Sequence, residues 1–310
     1  MGFKRMLAAL GVGAPSVDTV LATPRVQPGG TVRGEVRLKG GDVEAEIDHI
    51  ALGLVAGIEA EYGGGEQRGL AEFSHVQVSG PFRLGQGEDR VIAFQFPVPW
   101  ETPISVIAGQ RLTGMAVGVR TEVAIAKAVD KGDLDAVAVE PLPSQARVMQ
   151  AFLRLGFHFK SADVEAGRIY GVHQELPFYQ EIEFHPPHHH ARHVNEVELT
   201  FVASPRGLEV VLEADKRGSG DAFGRFQVTH EQALHMDWEG EIERWLADLP
   251  RHGFGHHQHG HHYGHHDDYH DGPGWGTVAA AGAAGLVGGL VAGEIVEEIF
   301  DGDDGGDGDW

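Results

Sequence analysis

From Val17 to about Val139 the chain reads as one strand after another. Val32, Gly34, Val36 and Leu38 alternate with Arg33, Glu35 and Arg37, the period-two pattern of a strand with one face on a core. Pro28-Gly29-Gly30 launches that strand as a turn, with Pro fixing φ and Gly taking angles that other residues resist. Ile50, Leu52 and Leu54 alternate likewise before Gly63-Gly64-Gly65 interrupts the chain. Ile92, Phe94 and Phe96 follow, ended by Pro97-Val98-Pro99, and then Val117, Val119, Thr121, Val123 and Ile125. No long helical period breaks the series. Short strands punctuated by Gly and Pro predict an antiparallel sandwich over residues 16–140.

Pro141-Leu142-Pro143 marks a boundary. Ser144 is placed to cap a connecting helix through Val148, Met149, Phe152 and Leu155, with Gly156 as its stop. A second strand series sets Val197, Leu199 and Phe201 against Glu196, Glu198 and Thr200. It continues with Leu208, Val210 and Leu212 against Glu209, Val211 and Glu213. Thr229 to Gln232 reads as a capping box. Behind it Leu234, Trp238, Ile242, Trp245 and Leu249 fall at helical spacing, with the two tryptophans as packing anchors. Residues 141–250 therefore predict a connector helix, a second β-sandwich and an amphipathic helix. The fold class expected is mainly β: two antiparallel sandwich domains joined by a short helix, with a C-terminal helix and a low-complexity tail.

Both ends differ from this body. Residues 1–15 carry Lys4 and Arg5 before a short apolar run that imitates a signal peptide. With Phe3, Met6, Leu7 and Leu10 on one face, an amphipathic helix is expected there. Residues 251–276 form a His- and Gly-rich linker: His252 to His270 holds nine of the 20 histidines. Residues 277–300 form an apolar, glycine-zipper-like segment in which Gly285, Gly289 and Gly293 fall four apart. Residues 301–310 form an acidic tail.

The formal charge is −22, and 42% of the 310 residues are hydrophobic, enough to bury a sizeable core. Such an acidic excess argues against nucleic acid, whose phosphates attract Lys and Arg. It argues equally against electrostatic adhesion to an anionic membrane surface. Basic protein partners and metal ions stay open. There is no cysteine, hence no disulfide framework, thiolate nucleophile or Cys-ligated metal. A cytoplasmic location is expected, with peripheral membrane contact as a variant of it.

Four stretches in order resemble the bacterial sporulation-control protein M family. They are Pro28 to Val36 (PGGTVRGEV), Phe94 to Ile104 (FQFPVPWETPI), Val119 to Asp135 (VRTEVAIAKAVDKGDLD) and Leu176 to Phe184 (LPFYQEIEF). The resemblance runs over roughly residues 1–250. It implies an arrestin-like pair of β-sandwiches and a regulatory role in sporulation or stress, without known catalytic chemistry. It does not reach the His-rich tract.

Candidate chemistry is sparse. Asp130, Asp133 and Asp135 loosely suggest a calcium loop but lack its full spacing and distal bidentate Glu, so a polar strand-end turn is the simpler reading. Glu181 and Glu183 share a strand face if residues 180–184 are extended, where a solvated face is the ordinary cause. His188, His190 and His193 sit in a proline-bounded loop, and His190 and His193 can share a Zn, Ni or Cu ion if the turn is helical. In the linker, His256, His257, His259, His261, His262, His265 and His266 on a Gly-rich backbone can gather round one such ion. Adventitious chelation and physiological sensing both fit that tract.

No cofactor is required by any motif. No nucleophile elbow, phosphate-cradling loop or dinucleotide fingerprint stands in a suitable context, so no enzyme is expected. The uncharged run Thr277–Gly293, about 17 residues, is short and Gly-rich for a membrane span. It suits self-association, shallow insertion or partner docking. The function expected is a regulatory adaptor or scaffold acting through unknown protein partners, with homo-oligomerisation open. The alternatives are a metal-responsive or metal-sequestering protein using the His tract, and a peripheral membrane organiser.

Overall fold

The computed structural model describes residues 13–62, 65–216 and 222–249. The N-terminal segment, the His-rich tract, the glycine segment and the acidic tail thus lie outside the described residues, and with them the tract histidines and Gly285, Gly289 and Gly293. The protein is mainly β, as its pattern predicts.

In the first half, β1 (Ser16–Leu21), β3 (Thr31–Lys39) and β7 (Asp89–Pro97) form an antiparallel sheet in the order β1-β3-β7, while the short strands β2 (Arg25–Val26) and β12 (Ala138–Val139) pair in parallel and β8 (Val106–Ile107) and β9 (Gln110–Arg111) pair antiparallel. Val32, Val36 and Leu38 point inward while Arg33 and Arg37 face solvent, as the alternation requires. Gly34 belongs to the inward row. A Cβ there would meet Val20 O at 2.5 Å and the Phe94 ring at 2.7 Å, so the close approach of β1 and β7 to β3 depends on its missing side chain. The facing layer is β11 (Lys131–Ala136), β10 (Val117–Ile125) and β4 (Ala45–Tyr62), with β5 (Gly65–Ser79) and β6 (Phe82–Leu84) also on β4. Ile50, Leu52, Leu54, Val119 and Val123 meet Val32, Val36, Phe94 and Phe96 in one buried cluster.

The second half is a meander of β13 (His158–Ala166), β14 (Phe178–His185), β15 (Val194–Ser204), β16 (Gly207–Lys216) and β17 (Ala222–Thr229), antiparallel throughout. It joins the first half through a parallel contact of β13 with β4 at Glu165 and Glu59, so one ten-stranded sheet runs across both halves. The layer on its apolar face is helical: α1 (Pro143–Arg154), α2 (His230–His235) and α3 (Trp238–Asp248). Val148, Met149, Phe152, Trp238, Ile242 and Leu246 bury against Ile182, Leu199, Val210 and Leu212 in a second cluster. Phe73 on β5 packs on both clusters.

The helix signals landed with two shifts. Ser144 does not cap α1. The N-cap is Leu142, followed by Pro143, because a proline's fixed φ suits the first helical position. Ser144 is buried instead, 2.8 Å from His230 Nδ1. Gly156, at φ +83°, closes the helix as expected. The capping box is formed: the Gln232 N–H donates to Thr229 Oγ1 at 3.1 Å and the Thr229 N–H to Gln232 Oε1 at 2.8 Å. The amphipathic stretch then splits in two, because Asp237 starts a new helix by accepting from the Gly240 N–H at 3.1 Å.

Candidate functional site: an acidic sheet face

The meander turns its apolar row to the helices and its polar row outward. That outward row is acidic on four consecutive strands: Asp163 and Glu165 on β13, Glu181 and Glu183 on β14, Glu196 and Glu198 on β15, Glu209 and Glu213 on β16. The register sets Asp163 beside Glu181, Glu183 beside Glu198, and Glu198 beside Glu213. Like charges directly opposite one another destabilise a sheet, so this arrangement costs stability unless something relieves it.

Cations relieve the flanks. Lys160 Nζ lies 2.8 Å from Glu183 and 2.5 Å from Glu196, and Arg225 Nε lies 2.6 Å from Glu209. The carboxylates of the centre crowd one another. Carboxylate oxygens of Glu181, Glu198 and Glu213 lie within 4.8 Å of one another, and so do those of Asp163, Glu165 and Glu181. Glu198 Oε2 and Asp163 Oδ1 are buried with no hydrogen-bond partner among the described residues. Burial, then Glu198 and Asp163, hold the Glu181 carboxyl far above the usual carboxylate range, and burial with Glu213 does the same to Glu198. Asp163 is pushed up to about 7 by burial and Glu165. Glu181 is thus no part of an ordinary solvated strand face, as its spacing alone suggested.

A shallow pocket opens over this centre. Tyr179, Val211, Phe223 and Ile169 form its apolar wall, and Glu181, Glu198 and Glu213 its acidic wall. The connection carrying Ile169 is fixed by Gln174, whose side-chain amide donates to Leu176 O at 2.7 Å and Phe178 O at 2.8 Å. All-oxygen donors at this spread suit a hard divalent cation, whose opposite ligands stand roughly 4.6–5.2 Å apart for Ca²⁺. The mixed wall suits a Lys or Arg side chain better, with its stem on the aromatics and its head on the carboxylates.

The other candidates resolve differently. Asp130 Oδ1 accepts from the Ile125 N–H at 2.9 Å, and Asp133 accepts from the Thr19 N–H at 2.6 Å. Residues 131–136 are a paired strand, so these carboxylates brace backbone rather than ring an ion. His188, His190 and His193 do not converge. The turn is helical, since the Ala191 N–H donates to Pro187 O at 3.0 Å and the Val194 N–H to His190 O at 3.1 Å. It directs His190, with His189, toward Glu243 on α3.

A family profile described as SpoOM protein matches residues 3–218. The chain belongs to the Spo0M family. The sporulation-control protein Spo0M of Bacillus subtilis (strain 168) is 35% identical over 219 residues, spanning 70% of this chain and 82% of that protein. The crystal structure of Spo0M from the same organism matches with a TM-score of 0.68 and 30% identity, over 76% of this chain and 99% of that one. The acidic centre, residues 163–213, lies within the profile's span. Glu243 and the His-rich tract lie beyond it. The family's described role is sporulation control, which is regulatory.

Proposed function

We propose that this Spo0M-family chain is a non-enzymatic regulatory adaptor, and that the acidic face of β13–β16 is where it holds a Lys- or Arg-bearing segment of a protein partner. The observation that carries this reading is the buried carboxylate cluster around Glu198. Three carboxylates converge under an apolar wall, and Glu198 Oε2 is buried without a donor. A guanidinium or ammonium would donate charge-assisted hydrogen bonds to that oxygen. Binding would release the bound protons, and the shallow, open geometry suits a side chain presented on a partner's surface. The partner belongs to a regulatory pathway of the kind for which the Bacillus subtilis relative is named.

The test is retention of partner from native extract by the full chain and by a Glu181→Gln/Glu198→Gln/Glu213→Gln variant, over a salt series. The reading expects a discrete partner that elutes as salt rises and is absent from the variant. Equal retention by both proteins overturns it. Loss of the partner on adding calcium alone would instead make the face a cation site.

A further inference from the structure

A second constellation lies on the opposite layer and is independent of the acidic face. Between β14 and β15, residues 187–193 wind through consecutive turns closed on Pro187 and His190 carbonyls. The turns bring two adjacent histidines against α3. His190 Nε2 lies 3.3 Å from Glu243 Oε2, and His189 Nε2 lies 3.9 Å from Glu243 Oε1. One nitrogen from each histidine and one Glu243 oxygen all fall within 4.8 Å of one another.

A tetrahedral zinc ion with bonds of about 2.0–2.2 Å separates its ligands by roughly 3.3–3.6 Å. The His190–Glu243 pair already has that spacing, and the remaining separations close from at most 4.8 Å. Two imidazoles with one carboxylate are a donor set suited to Zn²⁺. The site is preorganised on one side and adaptable on the other. The His190 side chain is 18% exposed, and its ring lies nearly parallel to that of buried Phe157, at 6.5 Å and 23°. His189 is 63% exposed, with its ring 4.2 Å from that of His190. The His-rich tract begins at His252, three residues after Leu249.

We infer that His189, His190 and Glu243 form a zinc site that fastens the β14–β15 connection to α3. Zinc there ties α3 to the sheet.

The tract would mask this site, so the test uses the full chain with the nine tract histidines from His252 to His270 replaced by Asn. Zinc titration by calorimetry and amide hydrogen exchange are measured on that chain, with and without Glu243→Gln or His189→Ala. Both side chains are partly exposed and belong to neither core cluster, so the cores stay intact. The expected result is one zinc per chain, with slowed exchange confined to residues 186–194 and 238–248. Each added substitution should weaken binding by about 100-fold or more, at or beyond the upper end of what outer-shell losses cost. Absence of stoichiometric binding in the tract-substituted chain overturns the site. So does binding that leaves those two segments unprotected, or that Glu243→Gln does not weaken.

Discussion

Glu198→Gln should stabilise the protein at alkaline pH and leave it unchanged in mild acid. Glu198 faces Glu183 on one neighbouring strand and Glu213 on the other, and its oxygens lie within 4.8 Å of those of Glu181 and Glu213. Two full charges at that distance repel by about 3 kcal/mol at an effective dielectric near 20. The fold avoids this by keeping protons. Burial and like charge raise the folded-state proton affinity of Glu198 and Glu181 above the unfolded value. In the window above the ordinary carboxylate range the native state therefore binds more protons than the unfolded chain, so stability falls as pH rises. Below about pH 4.5 both states are protonated and the effect vanishes.

Gln removes one titrating group and lightens the load on its neighbours, so the expected gain is about 1–3 kcal/mol at pH 9 and near zero at about pH 4. Urea unfolding followed by tryptophan fluorescence at about pH 4, 7 and 9 measures it. An equal gain at the lowest and the highest pH would show that amide packing, not charge, is at work. A loss at pH 9 would refute the reasoning outright.

Further outcomes follow from other parts of the structure. Trp238→Ala should cost about 3–5 kcal/mol in urea unfolding, since Trp238 is fully buried, meets Phe226 edge-on at 5.5 Å and donates to Ala233 O at 2.8 Å. Gly34→Ala should cost about 1–3 kcal/mol through overpacking against Val20 O and Phe94, seen in the same assay. Asp135 is pushed up to about 6 by burial, Asp133 and Asp18, so its protonated form favours the fold and that contribution is lost as pH rises through 6. Asp135→Asn should accordingly raise the melting temperature above that pH more than below it.

The strands and the core rows were legible because period-two patterning is local, and β3 is laid out as Val32, Val36 and Leu38 demand. The break between α2 and α3 was not. Leu234, Trp238 and Ile242 keep one helical period across it, and only the geometry of Asp237 shows that the chain restarts there. The acidic face was half visible. Glutamates stand at alternate positions on β14 and β15 and four apart on β16, which reads as a polar face on any one strand. What gathers Glu181, Glu198 and Glu213 is register, set by pairing between strands. Three successive strands with acidic outward rows and few basic partners were the available signal, since a sheet seldom opposes like charges without reason. His190 was recognisable as a ligand type, but its partner Glu243 stands 53 residues away on an element whose position only packing decides.

The central claim, that the acidic face receives a basic partner segment, is tested most directly by crosslinking in cells. Phe223, 37% exposed at the pocket, and Val91, 57% exposed on the first-half sheet, would each be replaced by a benzophenone-bearing amino acid in the full chain. The account predicts a discrete adduct from position 223 alone, with a crosslinked peptide rich in Lys or Arg, that disappears when Glu181→Gln, Glu198→Gln and Glu213→Gln are added. The same adduct from position 91, or an adduct at 223 that survives loss of the three carboxylates, would contradict it.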